Sequence, residues 1–386
     1  MRVVDIIRTS EGGRWTIPVM VEAARRGHEA VLMMPEIDQR LGCEAREAGV
    51  TVQRCSARLE GAPSLTPWNL GKLRRQIDGI DPDVVLYQLI QTALVVRAAT
   101  LGAGYARVHQ VPGPLYLDHP GIRAVERQLA RLDDYVICGD RSTASRYVGL
   151  GVSPERVSAI PFGIDVDRFS EDFGDRAYLR QQWGVPVDNF VVVMYAYFYP
   201  PRGSLTSGLG VKGHEVLAAA WQRFAARHDD VSLVLVGDGW GEAGDQYRAT
   251  LINQFLHECP PGSLTFINGQ NDGRPFYALA DLSVSPSMSE SLGAPIEAGA
   301  AGVPSIVSDA GGLPETVTDY SGWVFPRGDD AALDARLEQA HAAFREGRLE
   351  QMGKVAQTHM RDMVDARKTA AAVVDVLEKA ARTHAS

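Results

Sequence analysis

The sequence predicts an α/β protein made of two doubly wound, Rossmann-like domains, each a parallel sheet covered by helices on both faces. Three observations predict it. Short Val/Ile/Leu-rich runs alternate with longer amphipathic patterns, the alternation pauses after "VSAIPFGIDVDRF" and begins again at "FVVVMYAY", and 386 residues exceed the usual reach of one hydrophobic core. Two cores of ordinary size follow.

In the first half the strands are "RVVDII", "EAVLMM", "DVVLYQ", "ARVHQV" and "DYVICG", with helices from about 15 to 26 and about 70 to 79 between them. Fully apolar runs of this length suit strands buried on both faces. The second half repeats the alternation with "FVVVMYAY", "VSLVLVGDG", "LTFING", "LSVSPS" and "PSIVSD", and with helices from about 213 to 227, 244 to 256 and 295 to 301. The polar, turn-rich stretch at 170–188, "SEDFGDRAYLRQQWGVPVDN" with its neighbours, reads as the boundary. Val373, Val374 and Leu377 lie at helical spacing in a last helix, from about 365 to 383.

Composition excludes several classes. Hydrophobic residues at 45% and charged residues at 23% describe a globular chain, and a net charge of -9 with dispersed Lys and Arg gives no field to draw nucleic acid. Cys43, Cys55, Cys138 and Cys259 are far apart and form no C-x-x-C pair, so neither a zinc site nor a disulfide framework is predicted. The N-terminal apolar run is too short for a signal peptide, and "DVVLYQLIQTALVVRAATLGAGYA" is broken by Gln88, Gln91 and Arg97 before it reaches membrane length. A soluble, cytoplasmic protein is expected.

Open α/β sheets take ligands beyond the carboxyl ends of their strands, so residues that directly follow strands are the candidates, and two such domains would offer a cleft between them. Gly12 and Gly13 come between the first strand and a helix, where bare N–H groups and the helix dipole can meet a phosphate, although the full G-x-G-x-x-G fingerprint is absent. The alternative is an ordinary tight turn. His109 ends a strand before "VPGP" and could hydrogen-bond a substrate, with His119 a weaker choice and a structural histidine the competing reading. Arg202 and Lys212 stand on the glycine-rich loop "PPRGSLTSGLGVKGHE", a fork and a point charge suited to a diphosphate, or else two solvated cations. In "SESLGAPIEAGAAGVP", Glu290 and Glu297 could hold hydroxyls of a ribose or sugar, while Pro295 makes Glu297 equally a dipole-favoured helix-start residue. Gly311 and Gly312 are expected to make a turn. Arg123, Arg127 and Arg131 form a basic stripe beside Glu126, read as a solvated face more readily than a lipid contact.

Taken in order, "SEGG", "ERVSAIPFGIDVDRF", "VKGHE", "LVLVGDG" and "LADLSVSPSMSESLGAPIEAGAAGVPSIVSDAGGLPETV" resemble the retaining GT-B-fold glycosyltransferases of the large fourth sequence family, the group 1 type. The resemblance runs over nearly the whole chain and is most specific at 281–317. It implies an N-terminal acceptor-binding domain over 1–170, a nucleotide-sugar-binding domain over 171–365, and a helix over 366–386 returning to the first. It implies a hexosyl transfer from a UDP- or GDP-type sugar with retention, to an unidentified acceptor, with no metal or other cofactor. Glu297 would then hold the ribose, Glu290 the donor sugar, and the N–H groups of Leu292, Gly293 and Ala294 the diphosphate. Lys212 would neutralise the leaving group, Gly13 would approach it from the other domain, and His109 would lie near the donor sugar.

Two departures from the family pattern stand out. Six residues separate Glu290 from Glu297 where the family has seven, and Thr206 takes the place of the family arginine, leaving Arg202 ten residues before Lys212. The inserted "YFYPPRGSLTSGLG" has rebuilt that loop. The chemistry needs electrostatic stabilisation of an anionic leaving group and an oxocarbenium-like centre, which Lys212, Arg202 and N–H groups would supply. Same-face attack would give retention, because no carboxylate is evident for a double displacement. A relative that converts nucleotide sugar without transfer, such as an epimerase or a pseudo-sugar coupling enzyme, and a nucleotide-sugar-binding protein without turnover are the alternatives.

Overall fold

The structure is a computed structural model describing residues 1–171 and 173–385. The chain divides into two compact units, Met1–Ile164 joined by the chain from Val364 onward, and Asp165–Met363.

The first unit holds a seven-stranded sheet of β1 (Arg2–Ile6), β2 (Glu29–Met34), β3 (Thr51–Arg54), β4 (Val84–Gln88), β5 (Ala106–Val111), β6 (Tyr135–Cys138) and β7 (Val157–Ala159). Their order is β3-β2-β1-β4-β5-β6-β7 and every pairing is parallel. All five residues of β4 are buried, the consequence of helices on both faces. Register follows from that burial, with Val3 opposite Val84 and Leu86 opposite Val108.

The last helix, Ala366–Ala385, belongs to this unit and packs on Thr16–Arg25. Val373, Val374 and Leu377 enter the core that contains Val3, Val19 and Leu86. Arg26 adds a 2.6 Å ion pair to Asp375, and His28 meets Glu378 at 2.9 Å. Gly163 is required beside it: an added Cβ would lie 2.5 Å from Ala366 Cα.

The second unit has six parallel strands, β8 (Phe190–Tyr195), β9 (Val231–Val236), β10 (Leu264–Ile267), β11 (Leu282–Ser285), β12 (Ser305–Ser308) and β13 (Gly322–Phe325), in the order β10-β9-β8-β11-β12-β13. Alternate residues of β8 serve two cores. Phe190, Val192 and Met194 pack with Trp221 and Phe224, whereas Val191 and Val193 pack with Phe276 and Leu279.

One local expectation changes. The boundary expected at 170–188 falls instead after Ile164: the stretch lies inside the second unit and contains a helix, Arg176–Gln182. Its buried Arg180 donates to the carbonyls of Leu279 and Val187 and to Asp281 at 2.8 Å, so a polar sequence is satisfied in the interior. The basic stripe is the solvated face expected, carried on two successive elements. Arg123 and Arg127 are exposed on helix Pro120–Leu129, Arg131 belongs to a separate turn, and Glu126 between them is fully buried. Among the described residues all four cysteines are free, and no helix is long and apolar enough to cross a membrane.

Candidate functional site

The polar candidates of the second unit gather beyond the carboxyl ends of β8 and β11. The loop after β8 ends at Gly213, whose φ of +70° a side chain disfavours. An added Cβ there would also lie 2.0 Å from the carbonyl oxygen of Pro286, just past β11. The two loops therefore touch backbone to backbone, and Met288 N–H donates to Val211 O at 2.8 Å. This contact sets Lys212 against Glu290, and the ammonium donates directly to the carboxylate. Their side chains are 20% and 17% exposed, sheltered yet reachable by solvent.

Glu290 is fixed on three further sides. Its Oε1 accepts from Ser291 N–H at 3.2 Å, and its carbonyl accepts from Gly312 N–H at 3.3 Å, which gives Gly312 the structural part expected of it. Gly293 adopts φ +58° with its added Cβ 3.0 Å from the Glu290 carboxylate, so only glycine lets the turn fold back over that side chain. Among the described residues, the N–H groups of Leu292, Gly293 and Ala294 donate to no protein acceptor. Helix Pro295–Ala300 follows at once, with Glu297 in its first turn. The Glu297 carboxylate accepts from Tyr277 O–H at 3.1 Å, a phenol that burial holds well above its ordinary pKa and therefore a firm donor.

Arg202 lies on an exposed part of the β8 loop, where its N–H donates to Thr206 Oγ1 at 3.0 Å. Thr206, fully buried, also donates to Leu209 O. The residue in the place of the family arginine thus pins the rebuilt loop instead of offering charge. The aromatic residues of that loop were not singled out from sequence. Tyr199 stacks on Trp240 at 5.3 Å, Tyr197 meets the same indole edge-on at 5.2 Å, and the Lys212 ammonium lies 6.0 Å from the Tyr199 ring centre. Trp240 and Tyr197 are about half exposed, at 55% and 50%. The readable signal was the aromatic alternation in "YAYFYP", with a tryptophan directly after "VGDG".

In the first unit, Gly13 has φ +93°, and a Cβ would lie 2.3 Å from Ile7 Cδ1. Gly12 N–H donates to Thr9 Oγ1 at 3.2 Å, so its donor is already occupied. His109 requires a correction of place. It sits on β5 fully buried, its Nδ1 accepting from the Arg97 guanidinium at 3.0 Å, and desolvation with the adjacent Arg97 lowers its pKa to about 3. Arg97 also holds Glu126 at 2.7 and 2.8 Å and pairs with Asp133, while Tyr147 O–H donates to Glu126 at 2.8 Å. His109 completes an interior charge cluster and has no surface to present to a ligand within this unit.

Each unit is thus a Rossmann-like α/β domain, and the second gathers its lysine and carboxylates where open sheets take their ligands. Two family models match the chain, "Glycosyltransferase Family 4" over residues 16–168 and "Glycosyl transferases group 1" over residues 204–357. The chain belongs to this family of glycosyltransferases and has its GT-B fold. The Anabaena protein HepE, solved in complex with UDP, is 19% identical with a TM-score of 0.81, covering 98% of this chain and all of that one (100%). Among curated relatives, a GDP-mannose-dependent alpha-(1-6)-phosphatidylinositol monomannoside mannosyltransferase of Mycobacterium tuberculosis is 29% identical over 64% of this chain and 63% of its own length. A D-inositol 3-phosphate glycosyltransferase of Nocardia farcinica is 30% identical over 61% of this chain and 50% of its own. The chain thus spans between half and two thirds of these two relatives. A GDP-mannose-dependent alpha-mannosyltransferase of M. tuberculosis is 28% identical over 84% of this chain and 82% of its own length.

Proposed function

We propose that this protein transfers a hexosyl group from a nucleotide diphosphate sugar to a hydroxyl of an acceptor, with retention at the anomeric carbon and without a metal at the reacting centre. The observation that carries the reading is the Lys212–Glu290 pair beside the unpaired N–H groups of Leu292, Gly293 and Ala294. A cation and three directed donors suit the charge that accumulates on a departing diphosphate. In this reading the diphosphate takes Lys212 from Glu290, which frees the carboxylate to accept from donor-sugar hydroxyls. Glu297, held by Tyr277, accepts from the ribose hydroxyls.

The acceptor hydroxyl attacks from the face the diphosphate leaves, and a leaving phosphate oxygen takes its proton, so the bond made and the bond broken share one side of the sugar. Arg202, exposed on the same loop, would add a second cation. Guanine is the preferred donor base, because two relatives are named for GDP-mannose. Separate incubations with GDP-mannose and UDP-glucose, each with and without a panel of sugar and cyclitol acceptors, test the reading through released nucleotide and product anomer. Lys212→Ala is expected to reduce turnover by about 10²- to 10³-fold, the usual effect of removing a key charge-stabilising donor. Unchanged turnover in that variant would remove Lys212 from the mechanism, and donor consumption without acceptor would replace transfer by isomerisation.

A further inference from the structure

At the opposite end of the second sheet lies a cluster that the transfer reading does not use. His228 follows helix His214–Ala225, Asp230 immediately precedes β9, and Glu338 and His341 share one face of helix Asp330–Arg345. One ligand atom from each of His228, Asp230 and His341 lies within 4.8 Å of the others. The two imidazole rings are 4.4 Å apart. His341 is 3% exposed and wedged against Phe190 and Phe224, yet its Nε2 has no hydrogen-bond partner and faces Asp230 Oδ1 at 3.4 Å.

We propose that His228, Asp230 and His341 form a binding site for a zinc-class divalent cation that ties the end of helix His214–Ala225 to helix Asp330–Arg345. Two imidazoles and a carboxylate are a donor set for borderline cations such as Zn²⁺ rather than for Mg²⁺ or Ca²⁺. Glu338 accepts from His228 Nε2 at 3.0 Å or holds it as partner, the carboxylate support that metal-binding histidines commonly have. Burial lowers the pKa of His341, a direction that favours the neutral ring a metal needs. Tetrahedral zinc brings its donors to roughly 3.3 Å from one another. The partly exposed His228 and Asp230 must close that gap, with Asp230 ligating through Oδ1, which faces His341, while Oδ2 keeps its 2.9 Å pair with Arg345. Arg227, which also pairs with Glu338, remains at the rim. The six residues of β9 place this site about 20 Å from the strand ends that carry Lys212 and Glu290. Its effect is on stability and not on the transfer step.

The test uses the full chain, stripped with a chelator and titrated with Zn²⁺ alone by calorimetry and by melting temperature, and with Co²⁺ alone by visible absorption. The expected result is one ion per chain, tetrahedral Co²⁺ bands and a rise in melting temperature with Zn²⁺. His228→Asn and Asp230→Asn, both at partly exposed positions, should each weaken Zn²⁺ binding about tenfold or more while keeping the stripped protein's melting temperature. Absence of Co²⁺ bands, or Zn²⁺ binding unchanged in both variants, overturns the site. Because no turnover is measured, failure here leaves the transferase reading standing.

Discussion

The first unit seals its charges and the second leaves them reachable. Arg97, Glu126 and Asp133 are at most 1% exposed and pair with one another, with Tyr87, Tyr147 and the Nδ1 of His109 hydrogen-bonded into the cluster. Lys212 and Glu290 form one pair with solvent on one side and open N–H groups nearby. The difference lies in what each can do next. A guanidinium shared by two buried carboxylates has no competitor for its partners, whereas a sheltered but accessible ammonium can trade a carboxylate for an arriving anion.

Breaking the sealed cluster should have the largest effect. Arg97→Met leaves two buried carboxylates without a cation and is expected to cost about 3–5 kcal/mol, read as the shift of a denaturant midpoint. A variant of wild-type stability would show that the two carboxylates do not depend on Arg97 as described.

Asp5, also fully buried in this unit, accepts from Gln88 Nε2 at 2.9 Å; burial raises its pKa to about 7. Its folded pKa exceeds the unfolded value, so its contribution is fully present below about pH 4 and is lost as pH rises through 7. The loss is at most about 4 kcal/mol. Asp5→Asn should therefore be increasingly more stable than the parent from pH 5 to pH 8, and parallel melting curves across that range would contradict the assignment.

Gly213→Ala tests the contact that creates the accessible pair. The left-handed backbone and the Pro286 carbonyl together should cost about 2 kcal/mol and displace Lys212, so both stability and turnover fall. Lys212→Ala should change stability least, by less than about 1 kcal/mol, because a partly exposed ion pair contributes little to folding. A large drop in its melting temperature would erase the contrast between the two regions.

Much of this was readable from the chain because period and composition report burial directly. The apolar runs became strands, and Lys212, Glu290 and Glu297 stood out as charges following strands. His109 was misplaced because a strand-end histidine looks the same in sequence whether it meets solvent or Arg97, and Arg97 read only as a polar break in an apolar run, with nothing local to show its buried partners. Glu126 was hidden in the same way, by three exposed arginines around it.

By itself the sequence determined two parallel α/β units, the order of their strand-forming runs and the residue types available for anion binding, since each depends on local pattern. Only the tertiary structure decided which charges are sealed and which are free to change partner. That decision rests on contacts between residues distant in sequence: Arg97 with Asp133, Gly213 with Pro286, and His341 with Asp230. Solvent access belongs to the packed fold, and no stretch of sequence carries it alone.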